Sequence, residues 1–334
     1  MGSSAVVLVT NERFNYPVKN LRQIRKMRSA NCTLCDKIEA PMENSSYKVL
    51  ALLNIFSGVL SVASNLLVLT AIYNFSPLRK VSIFFILSLA VADFLVGLVM
   101  NPVYAWIFFV NATEENHPLR VAEHWLWLQA VVISTFTLTA VSIERYIAVT
   151  KCLHYLEIVT AKRCLCCVAL TWLFSIIYAS LRFFIHRAKD LPALWISTTM
   201  LTVFIPFFII LYCYICIFKA ARTQCMRIAA DSSSTNAAYC KEVLKNKKAA
   251  WTLCIVIGLF ALLWSPSFIL SLWDSMTADP CGRRCVNYLW FWASFLSFTS
   301  SFCNPWIYSI RMREFRLAFF KILRINHAST NKEA

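Results

Sequence analysis

Seven long apolar stretches separated by short polar ones set the rhythm of the chain: Tyr47–Tyr73, Val81–Phe109, Val121–Val149, Lys162–Ile185, Ala193–Ala220, Asn246–Asp274 and Cys285–Ile310. Each reaches the roughly 20 residues that a helix needs to cross the hydrocarbon core of a bilayer. A lone strand cannot satisfy its backbone in lipid, so all seven are read as helices. The pattern predicts an all-α membrane protein. One seven-transmembrane helix bundle occupies residues 47–310, with a tail over 1–46 and a cytoplasmic segment over 311–334.

The third stretch breaks its own pattern. "TAVSIERYIAVT" (Thr139 to Thr150) sets Glu144 beside Arg145 among Leu138, Val141, Ile143 and Ile147. An unpaired Arg in hydrocarbon costs from about 3 to more than 10 kcal/mol. Glu144 can neutralise it locally, and Tyr146 belongs at a wet interface. Two readings of the pair stand: an Arg snorkelling at a helix end, or a switch whose charge is paired in one state and offered to a partner in another. Asp93, in the middle of the second stretch, poses the same question. It is either a protonated acid bonded to a neighbour or part of an ion site.

Composition supports the membrane reading: 59% hydrophobic and 15% charged residues, with a mean hydropathy of +0.59, against about 25% charged in soluble domains. The net charge of +16 would suggest nucleic acid in a soluble protein, but in a membrane protein the excess belongs on the cytoplasmic face. No nucleic-acid partner is expected. The basic groups Arg79-Lys80, Lys162-Arg163, "KEVLKNKK" and "RMREFR" fall on one side of the count, which makes that side the cytoplasm and leaves the N-terminus outside. "RQIRKMR" (Arg22 to Arg28) is basic as well and pulls the other way, but it lies about twenty residues from the first span, at the edge of where that rule acts, and the N-terminus is kept outside. "AVVLV" is too short for the apolar core of a signal peptide, so the first span is expected to act as its own anchor. Asn31, Asn44 and Asn111 head glycosylation tripeptides on the outer side, while Asn74 heads one inside and is expected to stay bare.

Motifs in order along the spans then give a resemblance. "SNLLVL" carries Asn65, "LSLAVADFLVG" Asp93, and the third span ends in Glu144-Arg145-Tyr146. Trp172 lies in the fourth, Pro206 and Tyr214 in the fifth, "FALLWSP" with Phe260, Trp264 and Pro266 in the sixth, and "NPWIY" with Asn304, Pro305 and Tyr308 in the seventh. The chain resembles the rhodopsin-like (class A) G-protein-coupled receptors. "IFKAARTQ", "IVIGLFALLW" and "IRMREFRLAFFKILR" make it most similar to adenosine receptors and their melanocortin-type neighbours. The last stretch forms a short amphipathic helix with Phe315, Phe319 and Ile322 on one face.

The resemblance implies a plasma-membrane receptor that is not an enzyme. Its partners would be an extracellular ligand, a heterotrimeric G protein and, beyond that, arrestin. Arg145 would meet the G protein and Glu144 would restrain it at rest, with Tyr146, Tyr214, Asn304, Pro305 and Tyr308 in the switch. Phe260, Trp264, Pro266 and Pro206 would form the toggle. Many relatives add an acid at the start of the sixth helix, where this chain has Asn246 between Lys245 and Lys247. Asp93, Ser134 and Asn304 would hold a sodium ion as allosteric modulator; no other cofactor is implied. Thr135 replaces a bulkier aliphatic of the relay, and Ser300 an asparagine.

On the ligand side the pattern departs. Aminergic receptors need an aspartate where Trp127 stands and opsins a lysine where Phe298 stands. Melanocortin receptors use acids where Val103, Arg120 and His124 occur. What remains is an aromatic, weakly polar cavity of Trp127, Leu128, Val131, Trp264, Phe268, Ser271, Trp290, Ser294, Ser297 and Phe298, suited to a nucleoside-like or other flat, apolar molecule. Two alternatives stay open: a seven-span transporter or channel, and a peptide or lipid receptor of the melanocortin-like branch. Transporters usually carry internal repeats, and none is found.

The family's usual disulfide is missing by resemblance, since Arg120 takes the place of its first cysteine. "CGRRC" has the form of the small outer ring seen in adenosine and melanocortin receptors, pairing Cys281 with Cys285. Free thiols and pairing with the tail cysteines Cys32 and Cys35 are the alternatives. Non-reducing peptide mapping is expected to find Cys281 and Cys285 linked within one peptide; alkylation of both without prior reduction would refute the ring.

Overall fold

A computed structural model describes residues 33–79, 81–110, 112, 117–185, 190–230, 237–277 and 280–324. It gives the backbone alone at 33–44, 153, 224–225, 227–230, 237–247, 280–281 and 283–284. The chain divides into two units, Met1–Ser45 and Ser46–Ala334, and the helical bundle lies in the second. Helices dominate, and among the described residues there is no strand.

The long helices are α1 (Thr33–Asn74), α2 (Ile83–Phe109), α3 (Pro118–Thr150) and α4 (Ala161–Phe184). Then comes α5, which begins as Leu191–Thr199, passes through a π turn at Met200–Phe204 and continues as Ile205–Ala230. α6 is Ala237–Met276 and α7 is Pro280–Arg311, followed by a short α8 (Arg313–Ile322). Six of them contain stretches long and apolar enough to cross a bilayer. The seventh, α7, is diluted by Ser294, Ser297, Thr299, Ser300, Ser301 and Asn304.

Local chemistry sets the ends. Pro118 at the first turn of α3 needs no N–H partner, and the His117 ring accepts the Leu119 N–H at 3.2 Å. Thr160 caps α4 by accepting the Arg163 N–H. Pro266 and Pro305 lie inside α6 and α7, where each removes a backbone donor. α2 carries a second π turn at Val96–Met100. Beyond Met312, Phe315, Ala318 and Phe319 of α8 are buried, and Phe315 packs its ring 5.5 Å from that of Tyr308.

α3 is the central post, packed against α4, α5, α2 and α6, while α7 packs chiefly on α6. Lipid-facing rings and aliphatic side chains such as Phe56, Phe174, Phe208 and Leu262 remain exposed on the outside. Without a hydrophobic drive between helices in lipid, close backbone approach at small residues supplies the contact energy. α1 and α2 meet at two glycines. A Cβ on Gly97 would sit 2.8 Å from the Gly58 carbonyl oxygen, and one on Gly58 2.9 Å from that of Gly97.

Gly97→Val should therefore push α1 off α2, destabilising the bundle by about 1–3 kcal/mol. Gly258→Ala, with nothing within 4 Å of the added carbon, should be silent. Thermal unfolding of the two purified variants in detergent checks this: equal midpoints would show that the crossing is not close-packed.

Candidate functional site: two buried ion pairs on one helix

The pair that interrupts the third stretch is closed. Arg145 donates from Nε to Glu144 Oε2 at 2.5 Å and from Nη2 to Glu144 Oε1 at 2.7 Å. Glu144 is 3% exposed. Neighbouring residues rarely pair in this forked way, and the geometry cancels both charges at the helix surface. A third partner was not singled out in the sequence. Tyr155, in the helical turn Tyr155–Ile158 after α3, donates its hydroxyl to Glu144 Oε1 at 2.5 Å. Burial, and then the charge of Glu144, push the Tyr155 phenol well above its ordinary range, so it remains a neutral donor at physiological pH. The side chain of Asn246 lies outside those described.

Around this end, Tyr146 sets its ring 5.9 Å from Tyr212 of α5. Tyr214 donates to the Ala250 carbonyl of α6 at 3.4 Å, a bond that ties α5 to α6. Tyr308 is buried. Pro206 is buried just past the π turn of α5. Thr135 turns its hydroxyl back onto the Val131 carbonyl of its own helix, 2.5 Å away.

In mid-bundle, Asn304 donates from Nδ2 to Asp93 Oδ2 at 2.8 Å. Ser134 is buried on α3 without a hydrogen bond to either among the described residues. Carboxylate and hydroxyl oxygens are the donors a small hard cation takes. Asn304, however, points its amide hydrogens at Asp93, so it would have to turn to offer its oxygen. Asn65 donates to the Ser301 carbonyl at 2.9 Å and Trp172 to the Ser88 hydroxyl at 3.0 Å, so these two motif residues fasten α1 to α7 and α4 to α2.

Further along α7 and α6, the expected pocket residues separate. Trp127, Trp264, Phe268 and Trp290 come together, with Phe260 stacked on Trp264 at 5.2 Å between centroids. The Trp264 indole donates to Ser300 Oγ at 3.1 Å, and the Ser267 and Ser297 hydroxyls bond at 2.7 Å. Leu128, Val131 and Ser294 are fully buried beside them, and Ser271 Oγ is buried with no partner among the described residues. Phe298 instead meets Tyr104 edge-on at 4.7 Å, in a second aromatic group with Phe291 and Phe108. An open cavity of about 710 Å³ lies elsewhere, between α1, α2 and the start of α4, and is lined by Leu69, Tyr73, Arg79, Phe84 and Leu87 among others.

A second ion pair stands near the Pro118 end of α3, and the sequence had not marked it as a site. Arg120 donates from Nη1 to Glu123 Oε2 at 2.5 Å and from Nη2 to Asn287 Oδ1 of α7 at 3.2 Å. Its guanidinium lies 4.6 Å from the Phe291 ring centroid. Tyr104 of α2 donates to the other carboxylate oxygen of Glu123. On the far side, Arg182 of α4 donates to His124 Nδ1 at 3.1 Å and to the Ile185 carbonyl at 3.0 Å. Arg120, Glu123, His124 and Arg182 are all at most 4% exposed. α2, α3, α4 and α7 thus meet through charge where the resemblance finds no disulfide. The visible signal was "LRVAEHW", two charges and a histidine within five residues at a span's start. Cys285 is disulfide-bonded. The side chain of Cys281, like Cys32 and Cys35, lies outside those described. So do Asn31 and Asn111, and the side chain of Asn44.

Residues 64–308 match the family described as 7 transmembrane receptor (rhodopsin family). The chain belongs to that family. It is 32% identical over 304 residues to trace amine-associated receptor 7a of Rattus norvegicus, covering 83% of this chain and 84% of the relative. It is 29% identical over 293 residues to adenosine receptor A2a of Homo sapiens, covering 80% and 70%. Trace amine-associated receptor 6 of Homo sapiens is 29% identical over 320 residues, covering 89% and 91%. This rhodopsin-family chain is a multi-pass membrane receptor of the G-protein-coupled class rather than an enzyme.

Removing one partner of the Arg120–Glu123 pair leaves an uncompensated buried charge, so Glu123→Leu should cost about 3–5 kcal/mol. The double replacement Arg120→Met with Glu123→Leu should recover most of that. Surface expression and thermal midpoint of the single and double variants test it; a single variant as stable as wild type would mean the pair carries no burial cost.

Proposed function

We propose that this receptor faces outward with its N-terminus, takes a small, flat, apolar or aromatic ligand between α3, α5, α6 and α7, and activates a heterotrimeric G protein through Arg145. The observation that carries the reading is the forked Glu144–Arg145 pair at the Thr150 end of α3. Its charge is costly at that depth and is fully cancelled within one residue, so it can be released without unfolding anything else. Pro266 and Pro305 lie inside the two helices that would have to move to release it, and each removes a backbone donor there.

The relatives' names mention trace amines and adenosine, and neither ligand chemistry is reproduced in this chain. An ammonium needs an unspent carboxylate, yet Trp127 stands at the position where aminergic receptors keep an aspartate. Glu123, one turn away on α3, is already shared by Arg120 and Tyr104. The amine reading is therefore disfavoured on charge grounds.

Arg145→Ala is expected to reach the membrane and to lose stimulated nucleotide exchange on the G protein. Asn246→Glu should lower ligand-free exchange and Glu144→Gln raise it. The pair that an acid at 246 would add near the membrane interface is worth about 1 kcal/mol, or about fivefold in population. Exchange assays at matched surface expression decide: full activity in Arg145→Ala would sink the assignment.

A further inference from the structure

One indole from each of four helices meets at the centre of the bundle. The Trp127 ring of α3 lies 5.2 Å from Trp290 of α7, 5.5 Å from Trp264 of α6 and 5.7 Å from Trp195 of α5, centroid to centroid. Trp195 and Trp290 close the group at 5.7 Å. All four are at most 6% exposed. Since α5 packs on α3 and α6 while α7 packs chiefly on α6, the contact between Trp195 and Trp290 reaches across the interior. Tilted rings at these separations are in van der Waals contact, and nothing the size of an indole fits between them. The space that a flat ligand would fill holds the protein's own rings.

The four are not equally fixed. Trp264 is held by its hydrogen bond to Ser300, stacks on Phe260 and meets Phe268. Trp195 is wedged edge-on against His124 at 5.1 Å. Trp290 makes ring contacts to Trp127 and Trp195. Inside the group, Trp127 Nε1 and Trp290 Nε1 are both buried with no hydrogen-bond partner among the described residues, and Trp127 is the one that stays when Trp290 leaves. An unspent buried donor is costly, so a guest with an acceptor would relieve it.

We propose that the site is self-occupied: Trp290 takes the place of a planar bicyclic guest and, through Trp127 and Trp264, holds the arrangement in which Arg145 stays on Glu144. The filled centre and the closed pair occur together in this one structure. A ligand of this site is then a planar aromatic heterocycle with a hydrogen-bond acceptor for Trp127, and it enters by displacing Trp290. The inference rests on the receptor reading above.

Trp290→Ala empties an indole-shaped space, and indole itself is the probe. Purified Trp290→Ala should gain thermal stability from added indole where wild type does not. Its ligand-free nucleotide exchange should rise about fivefold over wild type at matched expression and fall back when indole is added. Trp290→Phe, which keeps a smaller ring and guards against misfolding of the alanine variant, should show a partial rise. Wild-type exchange in both variants, or no thermal shift with indole in a folded Trp290→Ala, overturns the self-occupied site. Absence of exchange in wild type and every variant, with the thermal shift intact, overturns the signalling reading and leaves the indole-sized site standing.

Discussion

Every charge buried in this bundle must find its partners within the protein, because a hydrocarbon surrounding offers none. α3 meets that demand twice, with Arg120 on Glu123 near one end and Arg145 on Glu144 near the other. The two pairs differ in how they are tied. Arg120 and Glu123 also bind α7 and α2, so opening that pair leaves buried groups on other helices without partners. Glu144 and Arg145 neutralise each other one residue apart, and Tyr155 alone adds an outside contact in the described structure. The Arg120–Glu123 pair ties three helices together, whereas the Glu144–Arg145 pair is closed within one helix.

Between the two ends α3 is held by rings more than by polar bonds. Dispersion between large rings is short-ranged and depends on shape. A rotation of one indole is therefore felt by the next, while a hydrogen bond such as Trp264 to Ser300 sets the orientation that the rings adopt. Phe260 continues the stack from Trp264 toward the Ala237 end of α6. Tyr214 then couples α6 to α5 at the level of Ala250. Spatial continuity of this kind makes coupling physically available; measured coupling energies would show that it is used.

The fold was legible because its signal is bulk hydrophobicity. Six of the seven stretches satisfy length and apolarity outright; the seventh, Cys285–Ile310, was read as apolar enough too, yet its hydroxyl and amide side chains keep α7 out of that group. Helix ends ran longer than expected at α1, α5 and α6, where polar extensions continue the helix past the apolar core. The Glu144–Arg145 contact was legible too, since two adjacent opposite charges in a greasy run can neutralise each other locally. What the sequence hid was partnership between distant residues. Arg182 and His124 lie 58 residues apart, and Arg120 and Asn287 lie 167 apart. Nothing in composition says that these side chains share one buried volume. Trp195 was passed over for the same reason, as one aromatic among many on an apolar helix. Tyr155 was missed because a loop tyrosine carries no periodic signal.

The pair with Glu123 also changes what Arg120 means. Read by resemblance, it marks a lost disulfide. In the structure it joins three helices through one guanidinium: a carboxylate on its own helix that Tyr104 of α2 shares, an amide on α7 and the Phe291 face. A disulfide between helix and loop would constrain the loop. This cluster constrains the helices themselves, and at low dielectric its strength depends on staying dry. Water reaching Glu123 would weaken the contacts to α2 and α7 together. The Phe291 ring over Arg120 and the Tyr104 hydroxyl on Glu123 lie directly against these charges. Packing that keeps water from Glu123 therefore also keeps α2, α3 and α7 together.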